Sequence, residues 1–142
     1  MKKSIKMKKI FITLIVILVG FTIQAQEIKK DKNAKVSIKV DGICGMCKKR
    51  IETAALKTKG VKFALWSPTT HQLNLIMDER KTDLKAIQDN ILDVGHDILL
   101  EDDKKIIAKD EAYNSVHPCC KYRDEEIIKT HEGELKKVKK QE

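Results

Sequence analysis

A chain of 142 residues has room for one small domain and an appendage, not for several domains. Its formal charge of +8 is concentrated at the start: five of the 29 basic residues are lysines within residues 1–25, and without them 24 basic residues face 21 acidic ones, a balance of +3. So small an excess, interleaved with acids and accompanied by only 4% aromatics, excludes a nucleic-acid surface.

Those lysines precede an apolar run from Ile10 to Val19, continued by Phe21, with Ala25 as a small residue at a cleavage point. That order is the pattern of a signal peptide over 1–25, and the run is shorter than the roughly 18 residues a spanning helix needs. The expectation is an exported protein, periplasmic or extracellular, with no stable membrane insertion after cleavage. No cysteine follows the run, which argues against a lipoprotein anchor. In such a compartment four cysteines admit a disulfide framework as the plainest reading.

From Ala34 to Asp41 the apolar Val36, Ile38 and Val40 alternate with Lys35, Ser37 and Lys39, which predicts a half-buried strand. It runs through Gly42 into Cys44-Gly45-Met46-Cys47 and then a helix with Cys47, Ile51, Ala54, Ala55 and Thr58 on one stripe; whether Leu56 rotates in to thicken that stripe stays open. Gly60 follows as a left-handed cap. Val61 to Trp66 and Gln72 to Asp78 read as strands joined by a polar turn around Pro68, with Leu73, Leu75 and Met77 on one side. Trp66 could face either way. Lys81 to Val94 reads as the second helix, capped by Thr82 and closed by Gly95, and Asp97 to Glu101 as a last strand with Ile98 and Leu100 inward. Strand, helix, two strands, helix, strand gives an α+β ferredoxin-like sandwich: a four-stranded antiparallel sheet with both helices on one face.

The C-x-x-C pair sets the chemistry. Two thiols three residues apart in a turn can close on one soft ion, and Cys47 in the first helical turn should gain thiolate character from free amides, with Lys48, Lys49 and Arg50 adding positive charge. The same features suit a redox pair. A thioredoxin fold, however, needs more chain after the motif than follows here.

Over residues 33–102 the landmarks Cys44 and Cys47, Arg50-Ile51-Glu52, Gly60-Val61, Asp78 and Gly95-His96-Asp97 follow one another in an order that resembles the heavy-metal-associated domain family. That family includes copper chaperones, periplasmic mercury-binding proteins and the N-terminal modules of metal-transporting P-type ATPases. The resemblance implies metal on Cys44 and Cys47, and a role for His96 in tuning its retention. Its partners would be a membrane metal transporter or another metal-binding domain. This chain has Asp41-Gly42-Ile43-Cys44 where the family usually has Gly-Met-Thr-Cys, and its methionine, Met46, lies inside the pair, where it reads as packing. His71 and His131 read as surface residues.

Beyond the domain, 103–122 forms an extension in which Ile106 to Tyr113 suits a short helix and Val116-His117-Pro118-Cys119-Cys120 follows. Adjacent cysteines sit about 3.8 Å apart at Cα, below the usual lower limit near 4.4 Å for a bridge, so Cys119 and Cys120 must stay free, bind metal or reach elsewhere. Two further thiols in an oxidising compartment suggest that the segment folds back and, with His117, shares the ion of Cys44 and Cys47. Residues 123–142 read as a charged, mobile tail with a helix broken near Gly133.

These features predict an exported, non-enzymatic carrier or scavenger of a soft ion, Cu(I) first and Hg(II) or Zn(II) next, which hands it on by ligand exchange. A thiol-disulfide redox protein and a structural module closed by one zinc on four cysteines are the alternatives.

Overall fold

The computed structural model describes residues 29–138, with side chains to residue 132. The signal-peptide reading of residues 1–25 lies outside the described residues. In chain order the elements are β1 (Ala34–Val40), α1 (Gly45–Lys57), β2 (Val61–Trp66), β3 (Gln72–Met77), α2 (Leu84–Asp93), β4 (Ile98–Leu99), β5 (Lys105–Ile106), α3 (Asp110–Asn114), a 3-10 turn (Pro118–Cys120) and α4 (Glu125–Val138).

The sheet order is β2-β3-β1-β4-β5, every pairing antiparallel. The expected four strands thus become five, because Lys105 and Ile106 add a two-residue strand that pairs with Leu99 and Ile98. Across β1 and β3 the register sets Val36 opposite Leu75 and Ile38 opposite Leu73. Leu73, Leu75 and Met77 point into the core with Val40 and Ile98, and meet Ile51, Ala54 and Ala55 of α1 and Ile87 and Ile91 of α2. Trp66 is buried in the same cluster, its Nε1 donating to Val40 O at 3.0 Å. Ala55 fills the narrow side of α1 while Leu56 is exposed, so the helix does not rotate to bury the larger residue.

Several boundaries differ from the sequence reading. α2 begins at Leu84 because the carboxylate of Asp83, not Thr82, accepts from the Ala86 amide at 2.8 Å. The last family strand shrinks to Ile98–Leu99; Ile98 is buried but Leu100 is turned outward, its amide bonded to Lys104 O at 2.8 Å in the turn into β5. The helix expected at 106–113 is confined to Asp110–Asn114, since Ile106 belongs to β5. At the far end α4 passes through Gly133 without a break.

The extension is packed onto the domain. Asp97, its side chain 2% exposed, accepts from Arg123 Nη2 at 2.6 Å and Nε at 3.0 Å and from the Ala108 amide at 2.8 Å. Tyr122 donates its hydroxyl proton to Gly95 O at 2.9 Å and accepts from the Asp97 amide at 3.0 Å. Its ring lies against His96 and edge-on to Tyr113, with centroids 5.5 and 5.3 Å away. Gly95 has a φ of +86°, and a Cβ there would fall 2.5 Å from Ala112 O, so only glycine lets α3 approach the end of α2 this closely. Arg50 of α1 adds a bond to Val94 O at 2.7 Å and one to Ser115 Oγ at 3.2 Å.

Because Asp97 is buried and Arg123 is its ionic partner, Arg123→Ala leaves a carboxylate with no countercharge. A loss of about 3 kcal/mol of folding stability is expected, read by denaturant unfolding of the metal-free protein. Cys120, three residues from the lost anchor, should be alkylated faster than in the parent.

Candidate metal centre

The cysteine loop is held from several sides. Val40 N donates to His71 O and Asp41 N to Asp97 O, both at 2.9 Å, and His96 Nδ1–H donates to Asp41 O at 2.9 Å. A Cβ on Gly42 would meet Cys47 Cβ at 3.0 Å and the Trp66 ring at 3.2 Å, so the missing side chain is what lets the loop lie against both. Burial raises the acidity cost of the Asp41 carboxylate, yet bonds to His71 and Lys105 hold it below its ordinary value.

Cys44 sits at the N-cap of α1 in an extended conformation without a side-chain cap, and Cys47 lies in the first turn on the helix face that meets the sheet. Cys44 Sγ is 3.5 Å from Cys47 Sγ. The 3-10 turn then brings Cys120 Sγ to 3.7 Å from Cys44 Sγ. The three sulfurs lie within 4.8 Å of one another, and all three residues are buried. All four cysteines are free thiols. Of the extension's donors, Cys120 joins the loop pair, while Cys119 is turned outward with its Sγ 3.9 Å from Cys120 Sγ and 3.3 Å from Met46 Sδ. His117 Nδ1 is 3.2 Å from Cys119 Sγ, so it stands beside Cys119 rather than with the buried sulfurs.

The thiols are unequal. Burial works against ionising Cys44, but the amides of Cys47 and Met46 and the thiols of Cys47 and Cys120 outweigh it and hold Cys44 below its ordinary value. Cys47, expected from its helical position to be the thiolate, is instead pushed up to about 11 by burial, despite bonds to its backbone neighbours. Burial, with Cys47 and Cys44 close by, pushes the Cys120 thiol up as well. The nearby cations take little part. Lys48 is held by Glu52 Oε1 at 2.6 Å and Trp66 O at 2.7 Å, and Arg50 is engaged with Val94 and Ser115. Glu52 lies one turn further along the same helix, whereas Trp66, Val94 and Ser115 come from other parts of the chain, and the positions i+1 and i+3 after Cys47 gave no sign of them.

His96 differs most from its sequence reading. The family resemblance implied a role for His96 in tuning metal retention; the imidazole is fully buried, donates through Nδ1 to the loop backbone and stacks on Tyr122. Nε2 is buried without a partner, and His96 does not join the three sulfurs. Met46, expected to pack, is half exposed. Sequence reasoning missed Tyr122, Arg123 and Asp97 as the residues that position Cys120, although an aromatic and a basic residue two and three positions after the Cys-Cys pair were a usable signal.

A family model described as heavy-metal-associated domain matches residues 37–97, which end before the extension. Among solved structures the chain is similar to the CopZ metallochaperone, at 28% identity over 46% of this chain and 100% of that one, with a TM-score of 0.45. It is similar also to a copper CopA variant from Bacillus subtilis, at 30% identity over 49% and 93%, with a TM-score of 0.44. Oxidized MerP from Ralstonia metallidurans CH34 aligns at 18% identity over 54% and 100%, with a TM-score of 0.40. No curated protein sequence matches.

Burial holds the His96 imidazole down to about 4, against an ordinary value of 6.5, and a proton on Nε2 would find no acceptor. The unfolded chain therefore takes the proton first. This contribution to stability is full above about pH 6.5 and is lost as pH falls towards about 4, on the order of 3 kcal/mol in all. Unfolding of metal-free protein at the two ends of that window should show the parent losing more stability than His96→Gln, which cannot be protonated.

Proposed function

The chain belongs to the heavy-metal-associated domain family, and from that premise we propose that it is a non-enzymatic carrier of a soft metal ion held on Cys44, Cys47 and Cys120. The observation that carries this reading is the meeting of three buried sulfurs from two separate parts of the chain. Sulfur is the ligand of choice for soft ions, and Cu(I) is the first candidate, in line with the copper proteins it resembles; Hg(II) and Zn(II) follow.

The spacing bears on coordination. With metal–sulfur bonds near 2.3 Å, a linear pair spans about 4.6 Å and a tetrahedral edge about 3.8 Å. The observed 3.5 and 3.7 Å lie near the tetrahedral edge, a few tenths of an ångström inside the trigonal edge of about 4.0 Å, and are too short for a linear pair. In transfer, a thiolate of the receiving protein bonds to the ion as one of these sulfurs leaves. The ion keeps its charge, and no catalytic base is needed. The receiver would be another metal-binding domain or a membrane metal transporter, and the site of action outside the cytoplasm, periplasmic or extracellular, after removal of residues 1–25. Among the described residues no helix is long and apolar enough to cross a membrane.

Burial argues against the redox alternative. Cys44 is 8% exposed, Cys120 1% and Cys47 0%, whereas a thiol that attacks protein disulfides must be reachable. A four-cysteine zinc module is disfavoured because Cys119 Sγ faces Met46 and lies outside the group of three.

Competition titration with Cu(I) tests the reading. Cys44→Ser combined with Cys47→Ser should abolish tight binding and leave the circular dichroism intact, because the apolar core closes without metal. Cys120→Ser should weaken binding by at least on the order of tenfold to a hundredfold, since losses even in the outer shell of a metal site cost that much. An unchanged affinity in the double variant would remove the assignment.

Proton release supplies a second check. Cys47 and Cys120 are both raised thiols that must deprotonate to bind, so each ion should displace about two protons or more. Apparent affinity should rise about a hundredfold per pH unit through neutrality, measured by titration across pH 6 to 8.

A further inference from the structure

The buried sulfurs pose a problem of access that the outward donors answer. We propose, resting on the carrier reading, that Cys119, Met46 and His117 form an exposed transit site through which the soft ion enters and leaves the buried site. A thiol, a thioether and an imidazole are all soft or borderline donors for such an ion. Cys119 Sγ lies 3.3 Å from Met46 Sδ and 3.2 Å from His117 Nδ1, close enough for one ion to touch all three donor atoms after small adjustment. Met46 is 49% exposed in the first turn of α1, where burial contributes little to its placement. His117 Nδ1 accepts from the Cys119 amide at 3.3 Å, a long bond that places the ring beside that sulfur and is given up when the lone pair turns to the ion.

The position of the set also connects inside to outside. Cys119 Sγ is 3.9 Å from Cys120 Sγ, and Cys120 Sγ is 3.7 Å from Cys44 Sγ, so the sulfurs form a continuous path from solvent to the buried pair. An open pocket of about 230 Å³ lined by Met46, Lys49, Arg50, His117 and Cys120 lies at the outer end. Lys49 and Arg50 make its rim positive, which favours an ion delivered in an anionic complex over a free cation.

Uptake would run as two ligand exchanges. The Cys119 thiol gives its proton to solvent and its sulfur bonds to the ion as a donor ligand departs with its electron pair; Met46 Sδ and His117 Nδ1 act as neutral ligands. Cys120 then loses its proton and bonds, the Cys119 bond breaks, and Cys119 regains a proton. Met46 and His117 let go of the ion, Cys44 and Cys47 pass any protons they carry to solvent and complete the inner site, and the ion stays at +1 throughout. Release follows the same steps in reverse.

Stopped-flow mixing of the full mature chain with Cu(I) as its anionic bis-bicinchoninate complex, followed by loss of the complex's colour, tests this. Cys119→Ser should bind the same final amount of Cu(I) as the parent with an uptake rate lower by about tenfold or more, and Met46→Leu should slow it less. Parent-like rates in both variants overturn the transit site while leaving the carrier reading intact. A reduced final stoichiometry in Cys119→Ser also overturns it, because Cys119 would then be a resident ligand. A parent protein that takes no Cu(I) overturns the carrier reading and the transit site together.

Discussion

The buried carboxylate of Asp97 is the contact on which the arrangement depends. A charge taken out of water must be matched, and Asp97 is matched by Arg123, together with the Ala108 amide, both from beyond the family domain. Its backbone amide meanwhile donates to the Tyr122 hydroxyl. The domain therefore cannot satisfy its own last landmark, and the extension is drawn back to do so. Cys120 is carried with it, two residues ahead of Tyr122.

Gly95-His96-Asp97 acquires a different meaning in this light. Each residue of the loop receives part of the returning chain. Gly95 admits α3 and accepts from Tyr122, His96 stacks on Tyr122, and Asp97 binds Arg123. His96 also supports the cysteine loop through Asp41 O, so one imidazole braces both parts of the chain that supply sulfur. That double duty explains why it is buried and neutral, with its ring held away from the three sulfurs.

Much of the domain was legible because the patterns that reveal it are local. Alternation along Val36, Ile38 and Val40, the stripe from Cys47 to Thr58, and the facing set Leu73, Leu75 and Met77 need only the period of a strand or helix to be read. What escaped depends on partners distant in sequence. Leu100 looked inward by alternation, but a tight turn into β5 ends the strand before it. Cys47 looked like the thiolate from its place at a helix start, yet burial under the sheet outweighs the helix end, and the amides serve Cys44 instead. The return of Cys120 could be motivated from its chemistry, whereas the Tyr122 and Arg123 anchors that produce it became visible only with Asp97 beside them.

Sulfur coordination of the loaded ion is the most direct test of a site shared between domain and extension. X-ray absorption at the metal edge of the protein carrying one Cu(I) should give about three sulfur neighbours near 2.3 Å, falling to two in Cys120→Ser. Two sulfurs in the parent, unchanged by that substitution, would contradict the account.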